Sequence, residues 1–246
     1  MSAKADMKAG QAAGKSPRSR PSAATKTLSH NLNGQRLGRK GRDTRDRILA
    51  ATNELLAGPA DVELSLSAVA RQASLGMTSL YNYFNDLTEL LLAVLEPVMA
   101  TAEEAYVGLL RTRWDDASLG EHSLALVTAY HGFWVKNSRL LHLRNRMADA
   151  QNERMMLHRI NAALPVMRLM VEQMDGDLSK PQSPVFSMAT ALMTGLERIV
   201  TVTTDTTLQN ALHAPNPLGR THLLRAEARL LELGIRDYRM LAASGD

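Results

Sequence analysis

The stretch SLSAVARQASLGMTSLYNYFNDLTEL, Ser65 to Leu90, decides how the whole chain is read. Leu66, Val69, Ala70 and Ala73 recur at i, i+3, i+4 and i+7, which is one face of a short helix. Ser65 stands where an N-cap side chain accepts a backbone N–H, and Leu64 is placed to staple against Val69. After the break Ser74-Leu75-Gly76, a second short helix turns Leu80 and Phe84 inward and leaves Thr78, Ser79, Asn82 and Asn85 on its other side. Asp86 is spaced to cap a third helix that begins Thr88-Glu89-Leu90, with Glu89 at the capping-box position. Two short helices across a tight turn form a helix-turn-helix, whose second helix enters the DNA major groove. The same corner also occurs in plain helical cores.

Upstream, Asp43 or Thr44 is spaced to cap a helix whose face is Ile48, Leu49, Thr52, Leu55 and Leu56. Gly58-Pro59 ends it, because proline cannot continue the hydrogen-bond ladder. Residues 1–40 are rich in Ala, Gly, Ser, Lys and Pro, and lack the apolar surface that would offset ordering entropy, so the expectation is a disordered basic arm. Residues 1–42 hold ten Lys/Arg against the single acid Asp6, while the chain as a whole is only +4. Residues 43–96 carry Arg45, Arg47 and Arg71 against eight acids. A DNA-binding unit needs positive charge to displace phosphate counterions. Two readings of the arm stand: a solubilising tail, or a segment in which Arg36, Arg39, Lys40 and Arg42 enter the minor groove or follow phosphates.

With TRDRILAATNELL, SLSAVARQAS and TSLYNYF in order, followed by a leucine-rich fourth helix, residues 44–95 resemble the TetR family of transcriptional regulators (TetR/AcrR-type repressors). The resemblance implies an all-α protein with an N-terminal three-helix helix-turn-helix domain, residues 41–92, and a helical effector-binding and dimerisation domain, residues 93–246. It implies a homodimeric repressor that leaves a palindromic double-stranded DNA operator when a small, apolar molecule binds. Carried over residue by residue, Thr78, Ser79 and Tyr81 match positions facing base edges. Asn82 and Tyr83 match positions that mix base and phosphate contacts, and Ser65 and Ser67 match mainly phosphate contacts. Arg45 lies near the start of the first helix, within reach of a phosphate. Tyr81 has a second reading, packing beside Phe84. Ser74, Gly76 and Leu87 depart from the family pattern, which has glycine, serine and lysine there. The missing lysine removes a phosphate contact, and no Lys or Arg lies on the recognition helix, so readout is expected through hydroxyls, thymine methyls and shape. The alternative is a constitutive or architectural DNA-binding protein without an effector.

The fourth helix is expected from Thr88 through Leu95 toward Trp114, with Pro97 removing the bond to Ala93 as either a hinge or a static bend. Further helices are expected over Leu119–Lys136, Ser138–Met147 (capped by Ser138), Ala150–Met174, Val185–Thr204 and His222–Leu241, with loops at 175–184 and around 208–220. The helices near 185–204 and 222–241 present Ala189, Ala191, Gly195, Phe186, Leu192, Leu196 and Ile199, and Leu223, Leu224, Leu230, Leu231, Ile235 and Leu241. In the family this pair joins its symmetry mate in a four-helix bundle; burial within one protomer is the other reading.

Hydrophobic residues make up 45% of the chain, enough for a core, and aromatics only 4%, which argues against a large sheet. Cysteine is absent, which excludes disulfides and thiolate chemistry. No run of 18 uninterrupted apolar residues and no secretory h-region is present, so a cytoplasmic protein without a membrane partner is expected. No phosphate-binding glycine loop, HExxH or G-x-S-x-G occurs, so no enzyme activity, metal or cofactor is expected. His122 and His131 are nine apart, wrong for a metal pair on one helix. The effector pocket is expected among His131, Trp134, Arg144, Asn145, Met147 and Met170, apolar with a few polar anchors, and Arg144 is available to a ligand carboxylate.

Overall fold

The computed structural model describes residues 38–58, 63–180, 182–211, 213 and 219–244. Among them the order is α1 Arg39–Ala57, α2 Leu66–Gln72, α3 Met77–Tyr81, α4 Leu87–Ala100, α5 Ala102–Ala105 and a 3-10 turn at Val107–Leu110. Then come α6 Leu119–Lys136, α7 Ser138–Asp149, α8 Glu153–Gln173, α9 Pro184–Thr204, α10 Thr206–Ala211 and α11 Arg220–Ser244. The described residues contain no strand.

Helix α1 starts earlier than the Asp43 or Thr44 cap would place it. Arg39, Lys40 and Arg42 therefore lie on its first turn and not in an extended arm. Arginine and lysine are good helix formers, and the Thr44 hydroxyl donates back to the Lys40 carbonyl (2.9 Å) where a capping role would turn it to a backbone N–H. Arg36 and the rest of the arm lie outside the described residues. Ile48, Ala51 and Thr52 are buried, and Gln72 at the end of α2 donates to Glu54 (2.7 Å), fixing α2 across α1.

Ser65 caps α2 by accepting from Ala68 N (3.2 Å), and the buried Leu64 and Val69 lie where the staple was expected. Ser74 makes the turn in the left-handed region (φ 51°), a position that favours glycine. Asp86 caps α4 through Glu89 N (2.8 Å), and the Glu89 carboxylate returns to Asn85 N (2.8 Å), one residue before the usual capping-box partner.

Two expectations about helix length are corrected. Helix α4 ends at Ala100 and does not run toward Trp114, so Pro97 falls in its last turn, and Thr101 donates to Val98 O (2.8 Å) as the ladder closes. Helix α8 begins at Glu153 and not at Ala150, because Gln151 is left-handed (φ 64°) and Asn152 caps by accepting from Met155 N (3.1 Å). The N-cap of α7 is Asn137; Ser138 instead sends its hydroxyl to Thr204 O (3.3 Å). Helix α10 interrupts the connection expected as loop.

The C-terminal helices pack α11 against α6 and α9, α9 against α8, and α8 against α7. Close approach between α9 and α11 uses two glycines. A Cβ on Gly195 would lie 3.2 Å from the Glu227 carboxylate, and one on Gly234 3.0 Å from Leu192. Leu192, Leu196, Leu231 and Ile235 are buried there within one chain. Much of the apolar surface first read as an intersubunit seam is thus consumed internally. Leu230, Leu233, Met240 and Leu241 remain exposed on α11. Helix α9 is the one described helix long and apolar enough to cross a membrane; its Ala189, Leu192, Met193, Leu196 and Val200 face the helical core.

The loop before α6 is held by a buried polar knot. Arg239 donates to Gln173 O (2.7 Å), Trp114 O (2.8 Å) and Asp116 (2.6 Å). Gln173 in turn bonds Leu110 O (3.0 Å), Thr112 O (2.8 Å) and Trp114 N (3.0 Å). Buried polar groups are tolerated when satisfied in this way.

Candidate DNA interface and ligand site

The corner α2–α3 leaves a continuous polar surface. Ser67, Thr78, Ser79, Tyr81 and Asn82 are exposed, and Tyr81 is 47% accessible, so its ring does not pack inside beside Phe84. Tyr83 is the half-buried member, packed on the core while Leu80 and Phe84 anchor the helix beneath. Ser65 is already committed to its cap and to the Ser67 hydroxyl (3.0 Å). Arg45 lies over the Phe84 ring, 5.4 Å from its centroid, which brings a cation from α1 to the foot of α3. Arg39, Lys40 and Arg42 extend this positive edge along the first turn of α1.

Three polar contacts join this unit to the C-terminal helices. Arg139 of α7 donates to Leu55 O (2.6 Å) and Gly58 O (3.0 Å) at the carbonyl end of α1, where a cation also complements the helix dipole. Asn152, the cap of α8, donates to the buried Thr88 hydroxyl (2.9 Å). Arg154 pairs with Asp86, the cap of α4. Both of the latter join the start of α8 to the start of α4, so a shift of α8 bears directly on the start of α4.

Between α4, α6, α7, α8 and α9 lies a small internal space of about 10 Å³, walled by Tyr106, Tyr130, Phe133 and Trp134. The rings meet edge to face, Tyr106 to Tyr130 at 4.9 Å and Tyr106 to Phe133 at 5.2 Å. Burial pushes the Tyr106 hydroxyl up to about 12 and raises that of Tyr130 as well. At the base, Glu197 is gripped by Arg159 through Nε to Oε1 (3.0 Å) and Nη2 to Oε2 (3.1 Å). It also accepts from Asn145 (3.1 Å) and, at a longer 3.3 Å, from Arg144. An outer cleft of about 420 Å³ shares Met99, Tyr106 and Ala162 with the inner space, and adds Ala102, Val107, Pro165, Glu103, Arg111, His158 and Asn161. His158 Nδ1 is buried with no hydrogen-bond partner among the described residues, and burial, followed by the Arg144 charge, lowers the ring's pKa.

Of the residues expected in a pocket, Trp134 and Arg144 line the inner space, and Asn145 supports it through Glu197. Met170 is fully buried and Met147 packs against the core; neither lines these spaces. His131 is buried apart from them, its Nε2 without a partner among the described residues and its pKa lowered by burial and then by Arg220. Sequence reasoning missed Tyr106, Arg159, His158 and Glu197. The signal for Glu197 was present: it is the lone acid in a 21-residue helix whose only other charged residue is Arg198. The described residues hold no cluster of three or more His, Asp or Glu arranged for a metal ion.

No family model matches this chain, and no curated protein does. Seventeen chains of solved structures match. One is a crystal structure of multidrug binding protein EbrR complexed with imidazole, with a TM-score of 0.51, 19% identity, and coverage of 76% of this chain and 93% of that chain. The all-helical architecture resembles that structure in fold, in keeping with the fold expected from the resemblance to the TetR family.

Proposed function

We propose that this chain, with its TetR-type regulator fold, is a homodimeric transcriptional repressor that binds a palindromic operator and is released by a small molecule. The observation that supports it most is the face of Thr78, Ser79, Tyr81 and Asn82. These are exposed polar side chains without hydrogen bonds to other described residues, on a helix whose opposite side is pinned by Leu80 and Phe84. Hydroxyls and amides left unpaired in this way suit base edges and phosphates. Arg45, the first turn of α1, Ser67 and Tyr83 supply the flanking backbone contacts, and Ser65 orients Ser67. The arm supplies cationic reach that residues 43–96 lack. Two symmetric copies would place two α3 helices about one helical turn of DNA apart. Effector binding between α4, α7 and α8 would reach the DNA unit through Arg139, Asn152 and Arg154.

The likeness to the multidrug binding protein EbrR motivates a small-molecule effector here, in the cleft beside Tyr106 and His158. A constitutive DNA-binding protein is the second reading, favoured by an inner space no larger than about one water.

The test is fluorescence anisotropy against DNA selected from random sequence, with the full chain and a chain beginning at Gly38, across a salt series. The expected result is a preferred palindrome, with weaker affinity and a flatter salt slope for the shortened chain. Equal affinity for selected and bulk DNA would overturn the regulator reading.

A further inference from the structure

The donors left without acceptors in the two adjacent spaces identify the kind of ligand they suit. Their lining holds Arg144, Arg159 and Arg111 against Glu197 and Glu103. Arg111 and Glu103 neutralise each other through two parallel hydrogen bonds of 2.9 and 2.8 Å. Arg159 takes both oxygens of Glu197 and also pairs with Asp149 (3.0 Å), and Asn145 takes Glu197 Oε1 as well. Arg144 shares Glu197 with them and keeps donors without an acceptor. It is 4% exposed, its Nε goes to the Asn145 amide oxygen (3.0 Å), and its one approach to Glu197 is the long 3.3 Å contact. No described residue accepts from its Nη1, and Trp134 lies 5.8 Å away across the guanidinium. A buried cation with unused donors beside aromatic walls attracts an anion strongly, because the low local dielectric magnifies the pairing. No carboxylate in either space is free to receive a cation.

We propose that the site takes an amphipathic monoanion. Its carboxylate-like head sits on the free edge of Arg144, and its apolar chain lies in the cleft formed by Met99, Val107, Ala162 and Pro165. The inference rests on the effector-site reading above and deepens it to a ligand class. The head reaches Arg144 past Met99 and Tyr106, the lining common to both spaces; methionine is the side chain best able to reshape such a wall. His158 Nδ1, orphaned beside the cleft, offers a second polar contact along the chain of the ligand.

The experiment uses the full-length protein carrying Trp114→Phe, so that Trp134 is its one tryptophan, without DNA, and follows Trp134 emission while decanoate, decanol or decylammonium is added below micelle formation at neutral pH. Decanoate is expected to bind at least about tenfold tighter than decanol, as a charge-assisted pair to a buried cation requires, and decylammonium weakest. Arg144→Gln should erase the decanoate advantage while keeping decanol binding, and Arg144→Lys should restore part of it. Equal binding of acid and alcohol, tighter binding of the amine, no binding of any probe, or an undiminished preference in Arg144→Gln would each overturn the proposal. If Arg144→Gln does not fold, the three-probe comparison with Arg144 in place decides alone. Because DNA is absent, decanoate binding that leaves a DNA complex intact would keep the ligand class and overturn only the release mechanism.

Discussion

Ser74 carries the sharpest local strain in the α2–α3 corner, a left-handed serine at a turn where glycine would sit without cost. Ser74→Gly is expected to stabilise the protein by about 0.5–1 kcal/mol, the relief at a left-handed site less the added freedom of the unfolded chain. A urea melt with unchanged m value would measure it, and destabilisation would contradict the strain argument. At the other end of the molecule, Glu197 holds the buried Arg144 and the partly exposed Arg159, which also has Asp149. Glu197→Gln should cost about 1–3 kcal/mol, the usual range for weakening hydrogen bonds to a buried charge. A loss under about 1 kcal/mol in the same melt would mean that solvent reaches the pair and that Arg144 is no longer a distinctive anion seat. The Tyr106 hydroxyl, raised to about 12, stays protonated at neutral pH and is a hydrogen-bond donor to that space.

At the scale of elements, what joins the helix-turn-helix unit to the C-terminal helices is a set of end-to-end contacts. Arg139 bonds the last carbonyls of α1, and α8 reaches the cap of α4 through Arg154 and the first turn of α4 through Asn152. Arg139 lies five residues before Arg144 on α7, so one rigid helix carries both a pocket residue and a clamp on α1. Arg139→Ala is expected to lower stability by about 1–3 kcal/mol and to loosen the coupling between ligand and DNA. The check is a DNA titration with and without decanoate: the ratio of the two affinities should shrink more than the ligand-free affinity changes. Equal changes in both would assign Arg139 a purely structural role. Pro97 lies in the last turn of α4 beside the pocket residue Met99, so its missing bond frees the end of the helix next to the site.

For the whole molecule, the exposed apolar residues of α11 bear on assembly. Leu230, Leu233, Met240 and Leu241 recur at helical spacing on one edge, 42–58% accessible in the single chain. Leu230→Lys is expected to shift sedimentation from dimer to monomer and to abolish palindrome binding; an unchanged dimer would move the interface elsewhere. Acid sensitivity follows from the buried histidines. Burial lowers the pKa of His131, His142 and His158, so the unfolded chain binds protons that the folded chain refuses. Stability is therefore intact above the ordinary histidine pKa and declines as pH falls through it. Thermal melts between about pH 7.5 and 5.5 should show the midpoint dropping on acidification, and His158→Gln should flatten the slope.

The amino-acid sequence by itself determined the local plan, since caps, breakers and helical periodicity act over a few residues. Ser65, Asp86, the Ser74 turn and the bounds of α6 were all legible in it, as was the family of fold. Tertiary structure alone decided what each helix face meets. Gly195 and Leu192 admit either an intersubunit seam or burial within one protomer, and the fold packs α11 on them, because an apolar stripe does not name its partner. Arg144 read as an available cation, and only the fold brought Arg159 and Glu197 beside it from α8 and α9, leaving Arg144 the lesser share of that carboxylate. Burial and charge pairing join residues far apart in the chain, and periodicity carries no information across that distance.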